Sequence, residues 1–224
     1  MKYKGIIFDM DGTIIDSEHI WRKVTHDLIV SKGIKPTFEL LEDIEARFNG
    51  IGLRPSCLIL KEELNLKDTV EELMVEKQQH VNRLFGDQIK FIDGFKNFHK
   101  RALEKNLKVS IATNADDRTL AKTIETLNLQ DFFGDHIYNV THVNNKHKPA
   151  PDLFLHAASQ LGLDPKDCVA IEDSGHGIKA AVDAGMFCIG INTSKNRDSL
   201  KEAHLIIDRY DEICLKRLLK IKKA

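Results

Sequence analysis

The sequence predicts an α/β protein: a doubly wound parallel sheet with an α-helical cap inserted after its first strand. Three observations carry that expectation. Six short apolar runs, Ile6–Phe8, Val109–Ala112, Ile137–Val140, Cys168–Ile171, Phe187–Ile191 and Leu205–Ile207, read as buried strands. Amphipathic segments of helix length separate most of them, and strand–helix alternation implies a parallel sheet covered on both faces. From about Ser17 to Phe85 that rhythm stops, and the apolar residues take helical spacing instead. The 224 residues, 42% of them hydrophobic, suffice for one large domain or two unequal ones.

The first strand runs straight into Asp9-Met10-Asp11-Gly12-Thr13. Side chains alternate along a strand, so the two aspartates project the same way as it ends. The helical block then contains four segments, Glu18–Lys32, Phe38–Phe48, Cys57–Leu64 and Thr69–Leu84. Asp16 or Ser17 can N-cap the first, and Gly33 and Pro36 end it. The expected division is a catalytic core of residues 1–15 and 88–224 and a cap of residues 16–87. A bundle inserted there stands over the carboxyl end of the sheet, where open α/β folds bind ligands. Phe95–Leu107, Arg118–Leu129 and Leu153–Leu161 read as the covering helices, and the Ala-rich Gly177–Ala184 as a helix packed close on the sheet. The basic end, Lys216 to Lys223, reads as a last helix with cations at its C-terminus.

Four polar stations fall at strand ends or loops. Asp9 and Asp11 can form a cation site, or a nucleophile beside an acid/base; alone they are also a strand closed by an Asp-Gly turn. Thr113-Asn114 alone is a turn or helix cap, and Lys148, in Lys148-Pro149-Ala150-Pro151-Asp152, alone is a solvated lysine in a Pro-rich loop. Glu172-Asp173 differs, because adjacent carboxylates at the end of a buried strand are costly without a cation or hydrogen-bond donors. Combined, the stations supply carboxylates for a hard divalent cation, a lysine charge, and a hydroxyl and amide to hold anionic oxygens. Phosphoryl transfer needs that inventory, since its charge sits on oxygens that must be neutralised and positioned.

In their order and placement these motifs resemble the haloacid dehalogenase superfamily of phosphotransferases, in the branch with a helical cap. The resemblance covers essentially the whole chain and rests on Asp9-Met10-Asp11-Gly12-Thr13, Ile111-Ala112-Thr113-Asn114, Lys148-Pro149-Ala150-Pro151-Asp152 and Ile171-Glu172-Asp173-Ser174. It implies that Asp9 is the nucleophile, forming an aspartyl-phosphate, and that Asp11 is general acid and then base. It also implies that Thr113 and Asn114 hold the phosphoryl group and substrate, and that Lys148 neutralises the charge. Magnesium (Mg2+) would be held by the Asp9 carboxylate, the Asp11 carbonyl and Asp173, with Glu172 a ligand through water. Octahedral magnesium with few carboxylates suits that set. Asp11 argues against dehalogenation, since a halide leaving group needs no protonation.

In this branch the cap closes over the site and chooses the substrate. Arg54, in the loop Asn49-Gly50-Ile51-Gly52-Leu53-Arg54-Pro55, is either a grip on a second anionic or hydroxylated end of the ligand or an ordinary helix-start arginine. The cap's start, Asp16-Ser17-Glu18-His19-Ile20-Trp21, resembles sugar-phosphate phosphatases. The β-phosphoglucomutases carry a functional histidine at the place of Trp21, and His147 stands where the family usually has glycine before the lysine. The resemblance therefore implies a magnesium-dependent phosphatase acting on a small phosphorylated metabolite, with a phosphomutase as the alternative and a catalytically silent binding protein as the third reading.

A net charge of −1 gives no support to nucleic-acid or membrane-surface binding, and no apolar run approaches spanning length. The four cysteines form no C-x-x-C pair, and the N-terminus enters the first strand with no signal-peptide pattern. The expectation is a cytoplasmic monomer.

Overall fold

The computed structural model describes residues 3–48, 50–84 and 89–220. Asn49, the expected cap boundary at residue 87 and the last residues of the basic C-terminus lie outside that set. The core sheet contains β1 (Gly5–Phe8), β4 (Lys108–Thr113), β5 (Ile137–Asn139), β6 (Cys168–Glu172), β7 (Phe187–Ile191) and β8 (Leu205–Ile207). All neighbours are parallel, in the order β5-β4-β1-β6-β7-β8. All six strands coincide with the predicted runs to within a residue or two, because strands buried on both faces read as unbroken apolar stretches.

Alternation along β1 divides the interior. Ile6 and Phe8 belong to one apolar layer, while Ile7, between them, belongs to the other. On the first side Phe8 meets Phe95 edge-on, with ring centroids 5.6 Å apart. That layer is completed by α5 (Phe95–Leu103), α6 (Asp117–Leu127), the single turn α7 (Gln130–Phe133), and the one-turn α10 (Leu215–Leu218). On the other side α8 (Asp152–Gln160) and α9 (Gly175–Asp183) lay Leu153, Phe154, Ile178 and Ala181 against Ile7 and Ala170. Small residues let α9 approach closely: a side chain at Gly177 would begin 1.7 Å from the Glu172 carboxylate.

The inserted block is helical throughout, as its spacing predicts: α1 (Glu18–Ser31), α2 (Phe38–Phe48), α3 (Leu53–Glu63) and α4 (Val70–Leu84). It has its own apolar centre at Leu28, Ile29, Ile44 and Leu60. The entering and leaving chains pair as a two-stranded antiparallel ribbon, β2 (Ile15–Asp16) with β3 (Lys90–Phe91), in the register Ile15 to Phe91. That ribbon joins bundle to sheet at the carboxyl end of β1. Among the described residues no helix is long and apolar enough to cross a membrane.

Candidate active site

Parallel strands point their carboxyl ends one way, so β1, β4 and β6 deliver their terminal residues to one place beneath the cap. Asp9, Asp11, Thr113, Asn114 and Asp173 all line a cleft of about 480 Å³ closed on its far side by α1, the 50–53 loop, and Ser56 and Lys77 of the cap. Lys148 arrives from the loop before α8. Its Nζ donates to Asp9 Oδ1 at 2.5 Å and to Glu172 Oε1 at 2.7 Å, with 1% of the side chain exposed. Burial works against that ammonium, but the two carboxylates outweigh it and raise its pKa.

The lysine does not balance the site. One carboxylate oxygen from each of Asp9, Glu172 and Asp173 lies within 4.8 Å of the other two. Burial first, then neighbouring negative charge, pushes Asp9 and Asp173 well above the usual carboxylate range, against the lowering effect of Lys148. Three buried carboxylates around one ammonium call for a further cation. Oxygen donors of this kind suit a hard divalent cation. The backbone agrees: Thr13 Oγ1 donates to Asp173 Oδ1 at 2.9 Å, and a side chain at Gly12 would begin 2.2 Å from Asp173 Oδ2. Gly12 has φ +75°, so the turn after Asp11 needs glycine for conformation as well as for clearance. Tyr210, fully buried, holds that turn by donating to the Thr13 carbonyl at 2.9 Å.

Glu172 faces inward. Its Oε2 accepts from the Asp173 and Ser174 N–H groups and from Ser174 Oγ, each at 3.0 Å, while Oε1 takes Lys148. With both oxygens engaged, it holds the lysine and the strand-end turn in place and adds negative charge beside Asp9 and Asp173. Thr113 is buried, and its Oγ1 accepts from the Ala115 N–H at 3.1 Å, which leaves the hydroxyl proton as a donor.

Asp11 turns toward the cap. Its Oδ1 accepts from Ser17 Oγ at 2.5 Å and from Trp21 Nε1 at 3.1 Å. Burial raises its pKa, and these two donors partly offset the rise. Ser17 occupies the N-cap position of α1 but makes no side-chain cap there. Trp21 thus stands in direct contact with the carboxylate. His19 is on the outside of the helix, 3.5 Å from Asp16.

Asn114 is brought to the site, but its amide is used by the chain itself. Oδ1 accepts from the Lys148 N–H at 2.9 Å and Nδ2 donates to the Gly50 carbonyl at 2.8 Å, tying the cap loop to the lysine loop. The loop sits close to the core: side chains at Gly50 and Gly52 would begin 2.3 Å from Ser174 Oγ and 2.7 Å from the His147 ring. His147, the departure before the lysine, therefore forms part of the floor on which the cap loop rests.

Of the two readings of Arg54, ligand grip or ordinary helix-start arginine, its position in this structure favours the second. It is outside the cleft lining and pairs with Glu71 at 2.6 Å, both side chains more than half exposed. Helix geometry is the reason. Leu53 and Ser56 line the cleft, and at about 100° per residue Arg54 falls on another face of α3. Arg54→Ala is expected to change stability by under about 0.5 kcal/mol, since an exposed pair contributes little, and to leave turnover within about twofold. Thermal melting and kcat/KM check this.

The chain belongs to the haloacid dehalogenase-like hydrolases, whose family model matches residues 6–203. It is 31% identical to the fructose-1-phosphate phosphatase YqaB of Escherichia coli over 196 residues, covering 85% of this chain and 97% of that one. It is 28% identical to a phosphorylated carbohydrates phosphatase of Thermotoga maritima, over 82% of each. The solved β-phosphoglucomutase of Clostridium difficile superposes with a TM-score of 0.80 at 23% identity, over 97% and 96% of the two chains.

Proposed function

We propose that the protein is a magnesium-dependent phosphatase that hydrolyses a small phosphomonoester of the sugar or polyol class through an aspartyl-phosphate on Asp9, in the cytoplasm. The observation that carries the reading is the triad of Asp9, Lys148 and Glu172 beside Asp173, in the cleft between the sheet and the helical cap. The names of the similar phosphatases from Escherichia coli and Thermotoga maritima support the substrate class.

Each residue has a part in that reading. Lys148 opposes the rise in the Asp9 pKa and screens its repulsion from an anionic phosphate. Asp9 attacks phosphorus, with Asp11 protonating the departing alkoxide; water, deprotonated by Asp11, then releases inorganic phosphate. Asp11 accepts from the Trp21 indole of the cap at 3.1 Å, so the cap helps to aim the acid. Thr113 donates to the phosphoryl oxygens. Asp9, Asp173 and the Asp11 carbonyl would hold magnesium, which supplies charge neutralisation at those oxygens.

The mutase alternative shares the covalent step and differs in the acceptor. Trp21 on Asp11, in place of histidine, favours water. The test incubates the enzyme with magnesium, β-glucose 1-phosphate and a trace of glucose 1,6-bisphosphate, following free phosphate and glucose 6-phosphate. Phosphate release without efficient isomerisation is expected. Glucose 6-phosphate forming much faster than phosphate would establish the mutase, and a panel of phosphorylated metabolites giving no phosphate at all would remove the phosphatase reading.

A further inference from the structure

A second group of metal-ligating side chains lies outside the cleft, at the β5 edge of the sheet. The chain leaves β5 through a 3-10 turn, Val140–Val143, runs through the loop that carries Lys148, and returns as α8, which packs against the turn. His142, on the turn, and His156, on α8, meet there with ring centres 5.8 Å apart and planes inclined by 38°. Tyr138 of β5 stands edge-on to both, its ring centre 5.5 Å from His142 and 4.9 Å from His156. Its hydroxyl is 2.9 Å from His136 Nδ1 and so is occupied elsewhere.

Both rings keep a nitrogen for a ligand. His156 is half-buried and makes no hydrogen bond among the described residues; burial first, then the neighbouring His142, lowers its pKa. His142 is exposed and is steered through one nitrogen. Its Nδ1 lies 2.8 Å from Asn139 Oδ1 and 3.2 Å from the Asn139 backbone nitrogen. The Asn139 amide is fixed in turn, since its Nδ2 donates to Asp117 Oδ1 at 2.7 Å and its Oδ1 accepts from Thr141 Oγ1 at 2.7 Å. With the ring proton on Nδ1 and donated to Asn139 Oδ1, Nε2 presents a lone pair. A histidine oriented through its second nitrogen in this way is the usual form of a metal ligand.

Spacing and donor type decide what the pair can hold. Two imidazoles sharing one tetrahedral ion at about 2.0–2.1 Å per nitrogen have ring centres roughly 5 to 6 Å apart. The observed 5.8 Å fits that span. Imidazole nitrogen suits zinc and its neighbours, whereas the carboxylates around Asp9 suit a hard cation, so the two places differ in the metal they take.

We propose that His142 and His156 form a two-histidine site for a transition-metal dication of the zinc class, its remaining positions filled by water, and that the bound ion clamps the base of the loop carrying Lys148. His142 precedes that loop and His156 follows it, so one ion closes residues 143–155 into a ring and restricts the conformations open to them. Asp117, which accepts from Asn139, adds negative charge behind His142. The site is independent of the reading of the cleft.

The test is calorimetric titration of the whole protein with zinc chloride, in excess magnesium to occupy the carboxylate cluster. The wild type is expected to bind one zinc that His142→Gln and His156→Gln each bind at least about 10-fold more weakly, since losing even an outer partner of a ligand costs about 10- to 100-fold. His142 is exposed, so the metal-free His142→Gln protein should melt with the wild type. Zinc at about a hundredfold excess over its Kd should raise the wild-type melting temperature by several degrees and that of either variant by little. Amide hydrogen exchange over residues 144–151 should slow with zinc in the wild type and not in the variants. Zinc bound no more tightly by the wild type than by His142→Gln overturns the site. Unchanged exchange over residues 144–151 with zinc bound overturns the clamp.

Discussion

Asp9→Asn is expected to lower phosphate release from every substrate by at least about 10³-fold, a generic aryl phosphate included, while the protein stays folded. The amide has the shape of the carboxylate but cannot form the acyl phosphate. The fold survives because the charge it removes is costly. Burial, and the neighbouring Glu172, push the Asp9 carboxyl well above its usual range, so neutralising it removes a repulsion as well as an attraction. Lys148 keeps Glu172 at 2.7 Å. A melting temperature within a few degrees of wild type, together with absent burst and steady-state release, is the expected pair of results. Near-normal turnover by the folded variant would show that Asp9 is not the nucleophile.

Much of this arrangement is legible in the sequence, for identifiable reasons. The strands are strong signals because both faces of the sheet are covered, and the meeting of Asp9, Thr113 and Asp173 follows from them because side chains at parallel strand ends meet wherever the strands meet. The helical block is equally plain, since its spacing never shows a period of two. What the sequence hides is the direction of side chains outside the strands. Ser17 reads as a helix cap and gives its hydroxyl to Asp11 instead. Arg54, in the first turn of α3, lies on a face of that helix other than the one Leu53 and Ser56 turn to the cleft. Lys77 lies in Glu76-Lys77-Gln78-Gln79, a run without an apolar residue, yet α4 packs against both α1 and α3 and buries it. Glu172 is recognisable as costly, but only its four partners reveal that it holds the lysine in place.

Asp173→Asn should separate the function of the carboxylate cluster from its effect on stability. Asp173 is buried beside Glu172 and Asp9, and all but the Thr13 hydrogen bond and the more remote Lys148 oppose its charge. A carboxyl whose pKa is raised on folding contributes stability that is complete below its unfolded pKa, about 4, and is lost as pH rises through the folded value. The metal-free protein is therefore strained at neutral and alkaline pH, and a divalent cation relieves the strain by binding the folded state alone. The variant removes one such charge. In chelator at pH 8 it should melt a few degrees above wild type, about 1 kcal/mol or more for a chain of this size, and the gap should narrow toward pH 5. On adding magnesium the wild type should gain several degrees and the variant little, while the variant's activity falls at least about 10²-fold at ordinary magnesium concentrations. Glu172→Gln should behave oppositely, losing about 3 kcal/mol in either buffer, because Glu172 accepts from four buried donors and a glutamine amide nitrogen would face one of them, the Lys148 ammonium or the strand-end N–H groups, as a second donor. Equal melting of wild type and Asp173→Asn in chelator, with the same response to magnesium, would show that the cluster does not hold the metal.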